Sequence, residues 1–96
     1  MRELKSSERE ALARLERILL TEVAPERFSC FGKQDARMCI DPEADCWYVY
    51  FYEHGLGEDV SVHKDLEDAA LQLIRNVSPT ADAEENMRRL WLDNSL

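Results

Sequence analysis

The chain lacks several features that would place it in a specialised class. Its 96 residues include only three glycines, three prolines and three cysteines. No apolar run approaches the length that spans a bilayer, and there is no internal repeat or low-complexity segment. The odd cysteine number and a charged start without a signal-peptide segment favour reduced thiols and a cytoplasmic protein. With 45% hydrophobic and 33% charged residues, one globular domain over residues 1–96 is expected.

Basic residues are also scarce, and the resulting negative charge is unevenly distributed. Twelve Lys and Arg face twenty Asp and Glu, for a net charge of −8. Residues 41–68 contain nine acidic side chains and one basic one, Lys64, so this segment alone carries −8. Concentrated charge of this kind speeds encounter with a basic protein and repels nucleic acid and anionic membranes. We therefore expect a basic protein partner, and binding to neither nucleic acid nor membrane.

Apolar periodicity predicts three helices. Apolar positions from 11 to 23 predict a helix over about residues 6–24, which Pro25 ends. A second helix is predicted after Asp65, its expected N-cap, and a third over about residues 81–93. The second has the clearest helical spacing in the chain, with apolar residues at Leu66, Ala69, Ala70, Leu73, Ile74 and Val77.

Alternation with a period of two predicts the strands between the first and second helices. Strands are expected at about 36–41 and 46–53 and around Val60 and Val62, with a shorter one within 27–33. Turns at 41–45 and 54–57 separate them. The predicted fold class is α+β, an antiparallel three- to four-stranded meander with helices packed on one face, in the order α-β-β-β-α-α.

The strand at 46–52 has two chemically different faces. It reads Cys-Trp-Tyr-Val-Tyr-Phe-Tyr, so Trp47, Val49 and Phe51 share a predicted core face. Val60 and Val62 of the next strand are expected on that core face too. The opposite face carries all three tyrosines of the protein. The residues expected beside the tyrosines are Ser61, His63, Arg37, Cys39 and Asp41.

The tyrosine face is the predicted partner-binding surface. A tyrosine combines a large apolar ring with a hydroxyl, which suits a half-wet contact, and an acidic rim is common at interfaces. The competing interpretation is a merely solvated strand face, since tyrosine has a high strand propensity. Tyr50 is expected to be a surface anchor whose replacement by alanine leaves the fold intact. The predicted contact residues are Tyr48, Tyr50, Tyr52, Glu53, Glu58, Asp59, Asp41 and Asp45.

No motif in the sequence predicts catalysis or a metal site. Cys30, Cys39, Cys46, His54 and His63 lie seven to nine residues apart, without a Cys-x-x-Cys pair. We predict no catalytic residue, no metal and no cofactor. A small enzyme that uses Cys39 or Cys46 with His63 stays an alternative, because neighbouring strands could bring a thiol to an imidazole. A homo-oligomeric accessory domain, such as a homodimer, is another.

Residues 47–74 also resemble a known group of proteins. The strand Trp47-Tyr48-Val49-Tyr50, the turn Glu53-His54-Gly55 and the acidic helix start over 65–70 are similar to small immunity proteins of bacterial polymorphic-toxin and contact-dependent growth inhibition systems. Several of those families have Arg where this chain has His54. The resemblance implies a non-enzymatic intracellular protein that neutralises a cognate toxin by covering an essential surface. Basic nuclease-type toxins would offer the complementary charge.

Overall fold

The chain runs through one helix, four strands and two helices in the computed structural model, which describes residues 2–94. The helices are α1 (Ser6–Leu19), α2 (Leu66–Val77) and α3 (Ala81–Leu92). The strands are β1 (Phe28–Ser29), β2 (Arg37–Pro42), β3 (Trp47–Glu53) and β4 (Leu56–His63), and a 3₁₀ turn at Pro25–Arg27 precedes β1. The predicted α+β class is confirmed. None of the described helices is long and apolar enough to cross a membrane.

The sheet has the strand order β1-β2-β3-β4 and is mixed. The β2–β3–β4 part is the predicted antiparallel meander, whereas β1 pairs with β2 in parallel, Phe28 opposite Met38 and Ser29 opposite Cys39. The prediction of a fully antiparallel sheet is therefore wrong at this edge. Because two residues extend only about 7 Å, the short loop 30–36 can return the chain to the same end of the sheet.

The helices pack on one face of the sheet and form the core with it. Both α2 and α3 begin at residues whose side chains cap the helix. The Asp65 side chain accepts a hydrogen bond from the Asp68 N–H, as predicted, and the Thr80 side chain accepts one from the Ala83 N–H. Trp47 and Val49 point into the core, as predicted, and Phe51 is half-buried. The fully enclosed members of the core include Leu12, Leu15, Ile18, Leu19, Ile40, Leu73, Ile74 and Met87.

The segment before α1 is held by Arg2. Its guanidinium donates two hydrogen bonds of 2.7 Å to the Glu8 carboxylate, and its Nε donates to the Glu43 carbonyl at 2.7 Å. Arg2 also lies 5.4 Å from the centroid of the Trp47 ring. Hydrogen bonding to Arg2 lowers the pKa of Glu8 to about 2. α1 itself begins at Ser6 and ends at Leu19. The prediction that this first helix extends to about residue 24 is therefore wrong.

Strand β4 has the opposite phase to the predicted one. Val62 lies opposite Tyr48 in the register, while Ser61 lies opposite Val49 and His63 opposite Trp47. Val60 and Val62 are accordingly 54% and 61% exposed. The prediction that both valines face the helices, with Ser61 and His63 on the tyrosine side, is wrong.

A β-bulge is the physical reason for this reversal. Between the pairs Val49–Ser61 and Phe51–Glu58, β3 has one residue, whereas β4 has two, Asp59 and Val60. Asp59 has a φ of 51°, the left-handed conformation that aspartate tolerates better than most residues. One extra residue shifts a strand by half its side-chain period, so every later side chain changes face. The valines thereby leave the core and join the tyrosine face.

Candidate functional site

The face of the sheet opposite the helices carries an exposed apolar surface. We define the outer sheet surface as Tyr48 and Tyr52 of β3 together with Val60 and Val62 of β4. The tyrosines are half-buried, and the two valines are more than half exposed. Most large apolar side chains of residues 2–94 are buried. Neighbouring apolar side chains that remain exposed therefore indicate a contact surface. Sequence reasoning missed the valines because the bulge was not predicted.

Tyr50 lies in the middle of the tyrosine row but does not belong to the exposed surface. It is only 6% exposed, and its hydroxyl donates a hydrogen bond to Oδ2 of Asp41, which is 4% exposed. Burial, and then the hydrogen bond to Asp41, raise the pKa of Tyr50. The predicted roles of Tyr50 as an exposed anchor and of Asp41 as part of a rim are therefore wrong. Replacing Tyr50 by alanine without damage to the fold is no longer expected.

The loop 30–36 contributes to this burial. It passes over β2 on the tyrosine side, where the Gln34 carbonyl lies 3.9 Å from the Cys39 thiol. The Lys33 ammonium lies 5.8 Å from the centroid of the Tyr52 ring. Tyr52 in turn meets Tyr50 edge-to-face, with centroids 6.4 Å apart. The loop thus covers β2 and leaves the outer surface concentrated on β3 and β4.

The Tyr50–Asp41 pair gives a stability prediction. Among residues 2–94, Asp41 Oδ1 is a buried side-chain oxygen without a hydrogen-bond partner, and the Tyr50 hydroxyl donates the side-chain hydrogen bond to the other oxygen of this carboxyl. Tyr50→Phe is expected to lower the unfolding free energy by about 1–3 kcal/mol, because it leaves a buried carboxyl unsatisfied. Urea denaturation followed by circular dichroism measures this loss.

Two further variants make that test specific. Adding Asp41→Leu to Tyr50→Phe should recover much of the loss, since removing both polar partners avoids an unsatisfied group. Tyr52→Phe is the matched control on the same strand and should change stability by less than about 0.5 kcal/mol. If the double variant loses as much unfolding free energy as the Tyr50→Phe and Asp41→Leu single variants together, the two residues do not stabilise the fold as a pair.

The remaining predicted rim residues lie at different places around β3 and β4. Asp45 lies near Tyr48, whereas Glu58 is opposite Phe51 in the register and Asp59 lines a groove with Gln72 and Asn76 of α2. Asp45, Glu58 and Asp59 are exposed, and Glu53 is half-buried at the end of β3. The pKa of Tyr48 is raised chiefly by the neighbouring Cys46 thiol and by desolvation, and nearby carboxylates, Asp45 among them, add to the shift. Acidic groups therefore lie close to this end of the surface. All six members left after excluding Tyr50 and Asp41 are exposed or half-buried, with Glu58 and Asp59 on β4.

Cys39 and His63, one of the two pairs that the enzyme alternative requires, lie on opposite faces of the sheet. His63 is on the helix side of β4, with its Nε2 atom 2.8 Å from the Ser61 hydroxyl, whereas Cys39 is buried on the tyrosine side. Burial raises the pKa of Cys39, and Cys30 is shifted in the same way to about 12, opposite to an activated thiol. Within residues 2–94, no three His, Cys, Asp or Glu side chains are placed to share a metal ion.

Comparison with known proteins adds no relative to this picture. No family model matches the chain, and neither a curated protein nor a solved structure shows significant similarity to it. The functional argument therefore depends on the outer sheet surface and the charge around it.

Proposed function

We propose that this protein is a stoichiometric inhibitor of a basic partner, acting in the cytoplasm as an immunity protein against a nuclease-type toxin. The observation that supports this function is the outer sheet surface, whose exposed valines and half-buried tyrosines lie within the −8 segment of the chain. An apolar centre with a charged rim is the usual anatomy of a specific interface. The resemblance of residues 47–74 to immunity proteins supports the same function.

The charge of the surface favours a basic partner over a second copy of this chain. Two outer sheet surfaces facing each other would bring together two copies of the acidic segment 41–68, each with a charge of −8. Like charges across an interface cost free energy, whereas a basic enzyme that acts on phosphates offers the opposite potential. Homodimerisation through this surface is the second candidate, supported by the exposure of Val60 and Val62. Light scattering that shows a monomer at high concentration would exclude it.

The direct test combines capture with rescue of growth. The product of the neighbouring gene, co-expressed with this chain, should co-purify at a one-to-one ratio. Expression of this chain should restore growth to cells that produce the partner. If the neighbouring genes encode no toxin and no basic protein is captured, the proposed function is wrong.

Electrostatic steering gives a sharper prediction on the captured complex. The double variant Glu58→Gln, Asp59→Asn removes two exposed charges of β4 from the acidic segment, and asparagine retains the left-handed backbone that position 59 needs. Its association rate should fall several-fold at low salt and approach the wild-type rate at high salt, because screening acts over about 10 Å at 0.1 M. Stopped-flow mixing or surface plasmon resonance at several salt concentrations measures this rate.

A control with the same change in net charge separates local from global effects. Glu26→Gln with Asp82→Asn also removes two exposed charges, from the 3₁₀ turn and from α3. α3 packs on α1 and α2 rather than on the sheet, so it is distant from the outer sheet surface. An equal fall in rate for both double variants would contradict steering by the localised acidic segment 41–68.

A further inference from the structure

Strand β4 forms a free edge of the sheet. It is the last strand in the order β1-β2-β3-β4, and within residues 2–94 no strand pairs with its other side. Such an edge offers unpaired N–H and C=O groups to an incoming chain. We propose that β4 binds a short basic strand of the partner by strand addition. This inference rests on the proposed function and specifies how the partner is recognised.

The backbone groups that face the free edge follow from the hydrogen-bond ladder. The Ala36 N–H donates to the Tyr52 carbonyl at 2.7 Å, so the backbone groups of Tyr52 point towards β2. These groups alternate along an antiparallel strand, so those of Val49 point towards β4 and meet its partner Ser61. The next residue, Val62, therefore directs its N–H and C=O to the free edge.

The bulge limits the length of the added strand. Asp59, with its φ of 51°, interrupts the edge, and bulges of this kind commonly prevent indiscriminate pairing. The uninterrupted part is residues 60–63, Val-Ser-Val-His, which contains no acidic or Lys/Arg side chain. The edge is thus suited to a partner segment of about four paired residues.

The two sides of this edge differ in polarity, which defines the sequence pattern of the partner. On the tyrosine side, an added strand would lie beside the exposed Val60 and Val62. On the helix side, it would lie beside Ser61, which lines a shallow groove of about 300 Å³ together with the carboxylate-bearing Asp59 and with Gln72 and Asn76. Alternate side chains of a strand point to opposite faces. The fitting segment therefore alternates apolar with basic residues.

Charge argues against a second copy of β4 as the occupant. Residues 53–68 contain six acidic side chains and Lys64 as the one Lys or Arg, so pairing two such edges would bring like charges together. A strand that carries lysine or arginine on its helix side would instead reduce this repulsion. The same edge thus selects a basic strand over self-association.

The experiment uses a fluorescein-labelled, end-capped peptide of three Lys-Val repeats and the full chain. Anisotropy should show salt-sensitive binding, and hydrogen exchange at the Val60 and Val62 amides should slow in the complex. Val62→Pro removes the edge N–H but no N–H of the β3–β4 ladder, so it should fold and bind at least about tenfold more weakly. Val62→Thr keeps the N–H and the branched shape, and should stay within about threefold of wild type.

The outcomes distinguish the inference from the function on which it rests. Unchanged binding by a folded Val62→Pro variant, or unprotected Val60 and Val62 amides in the wild-type complex, would overturn strand addition. The amide measurement decides the matter even if the proline variant is unstable. If the Val60 and Val62 amides are protected without peptide and the protein is a dimer, the edge of β4 pairs with a second copy of this chain, and the proposed strand addition by the partner is wrong. If a basic toxin is captured, the proposed function holds whatever the peptide experiment shows. If no basic protein is captured, both the proposed function and the strand-addition inference are wrong.

Discussion

Trp47→Ala is expected to lower the unfolding free energy by roughly 3–5 kcal/mol, the usual cost of truncating a large core aromatic residue. Trp47 is only 4% exposed and belongs to the core formed by the sheet and the helices. The truncation also removes its cation–π contact with Arg2, 5.4 Å from the ring centroid. Since small domains are stable by about 5–15 kcal/mol, most of the variant population should unfold on mild heating.

The neighbouring residue provides the control for this prediction. Tyr48 is half-buried and points to the opposite side of β3, so Tyr48→Ala should cost less than about 1 kcal/mol. Urea denaturation of both variants by circular dichroism gives the two free energies on one scale. A Trp47→Ala variant as stable as wild type, beside a Tyr48→Ala variant that is unfolded, would contradict the assignment of the two faces.

Local periodicity was sufficient to predict the positions of the three helices, apart from the end of α1, and the core side of β3. In α2, the apolar spacing from Leu66 to Val77 and the cap at Asp65 agree, and the structure has the helix between those limits. In β3, the two-residue period alone placed Trp47 and Val49 in the core. These features were predictable because each depends on side chains within one element.

The phase of β4 could not be predicted in the same way. A two-residue turn with positive φ at His54 and Gly55 joins β3 to β4, and a regular ladder from this turn would place Val60 opposite Val49, inside the core. The bulge at Asp59 reverses that outcome, and it depends on a backbone conformation that aspartate tolerates but does not require. The exposed valines thus became visible only in the three-dimensional register.

The burial of Tyr50 was unpredictable for a different reason. Alternation correctly placed its side chain on the face opposite the helices. Alternation says nothing, however, about the irregular loop 30–36, which lies over β2 and contributes to its enclosure. A polar cluster of Tyr50 and Asp41 consequently lies within what the sequence predicted to be an exposed row. The contact surface therefore excludes Asp41 of β2, which the sequence predicted to belong to it. It includes Val60 and Val62 of β4, which the sequence predicted to lie in the core.

These corrections make Tyr48 the preferred tyrosine anchor of the proposed interface. It lies directly opposite the exposed Val62, so its ring and the valine form one continuous apolar contact. Tyr48→Ala is expected to weaken binding of the captured partner about 30-fold, or about 2 kcal/mol, as truncations of central aromatic residues often do. The loss should lie mainly in the dissociation rate, because removing a neutral ring leaves electrostatic steering unchanged.

Two variants test whether this loss belongs to the ring and to this surface. Tyr48→Phe keeps the ring and should retain most of the affinity, which separates ring burial from any contribution of the hydroxyl. Leu92→Ala removes an apolar side chain that is 51% exposed from α3 and should leave the dissociation rate unchanged. Surface plasmon resonance on the three variants, with growth rescue as a second readout, measures these effects. Normal affinity in Tyr48→Ala combined with weakened binding in Leu92→Ala would move the interface from the sheet to the helices, and the argument from the valine–tyrosine surface would then fail.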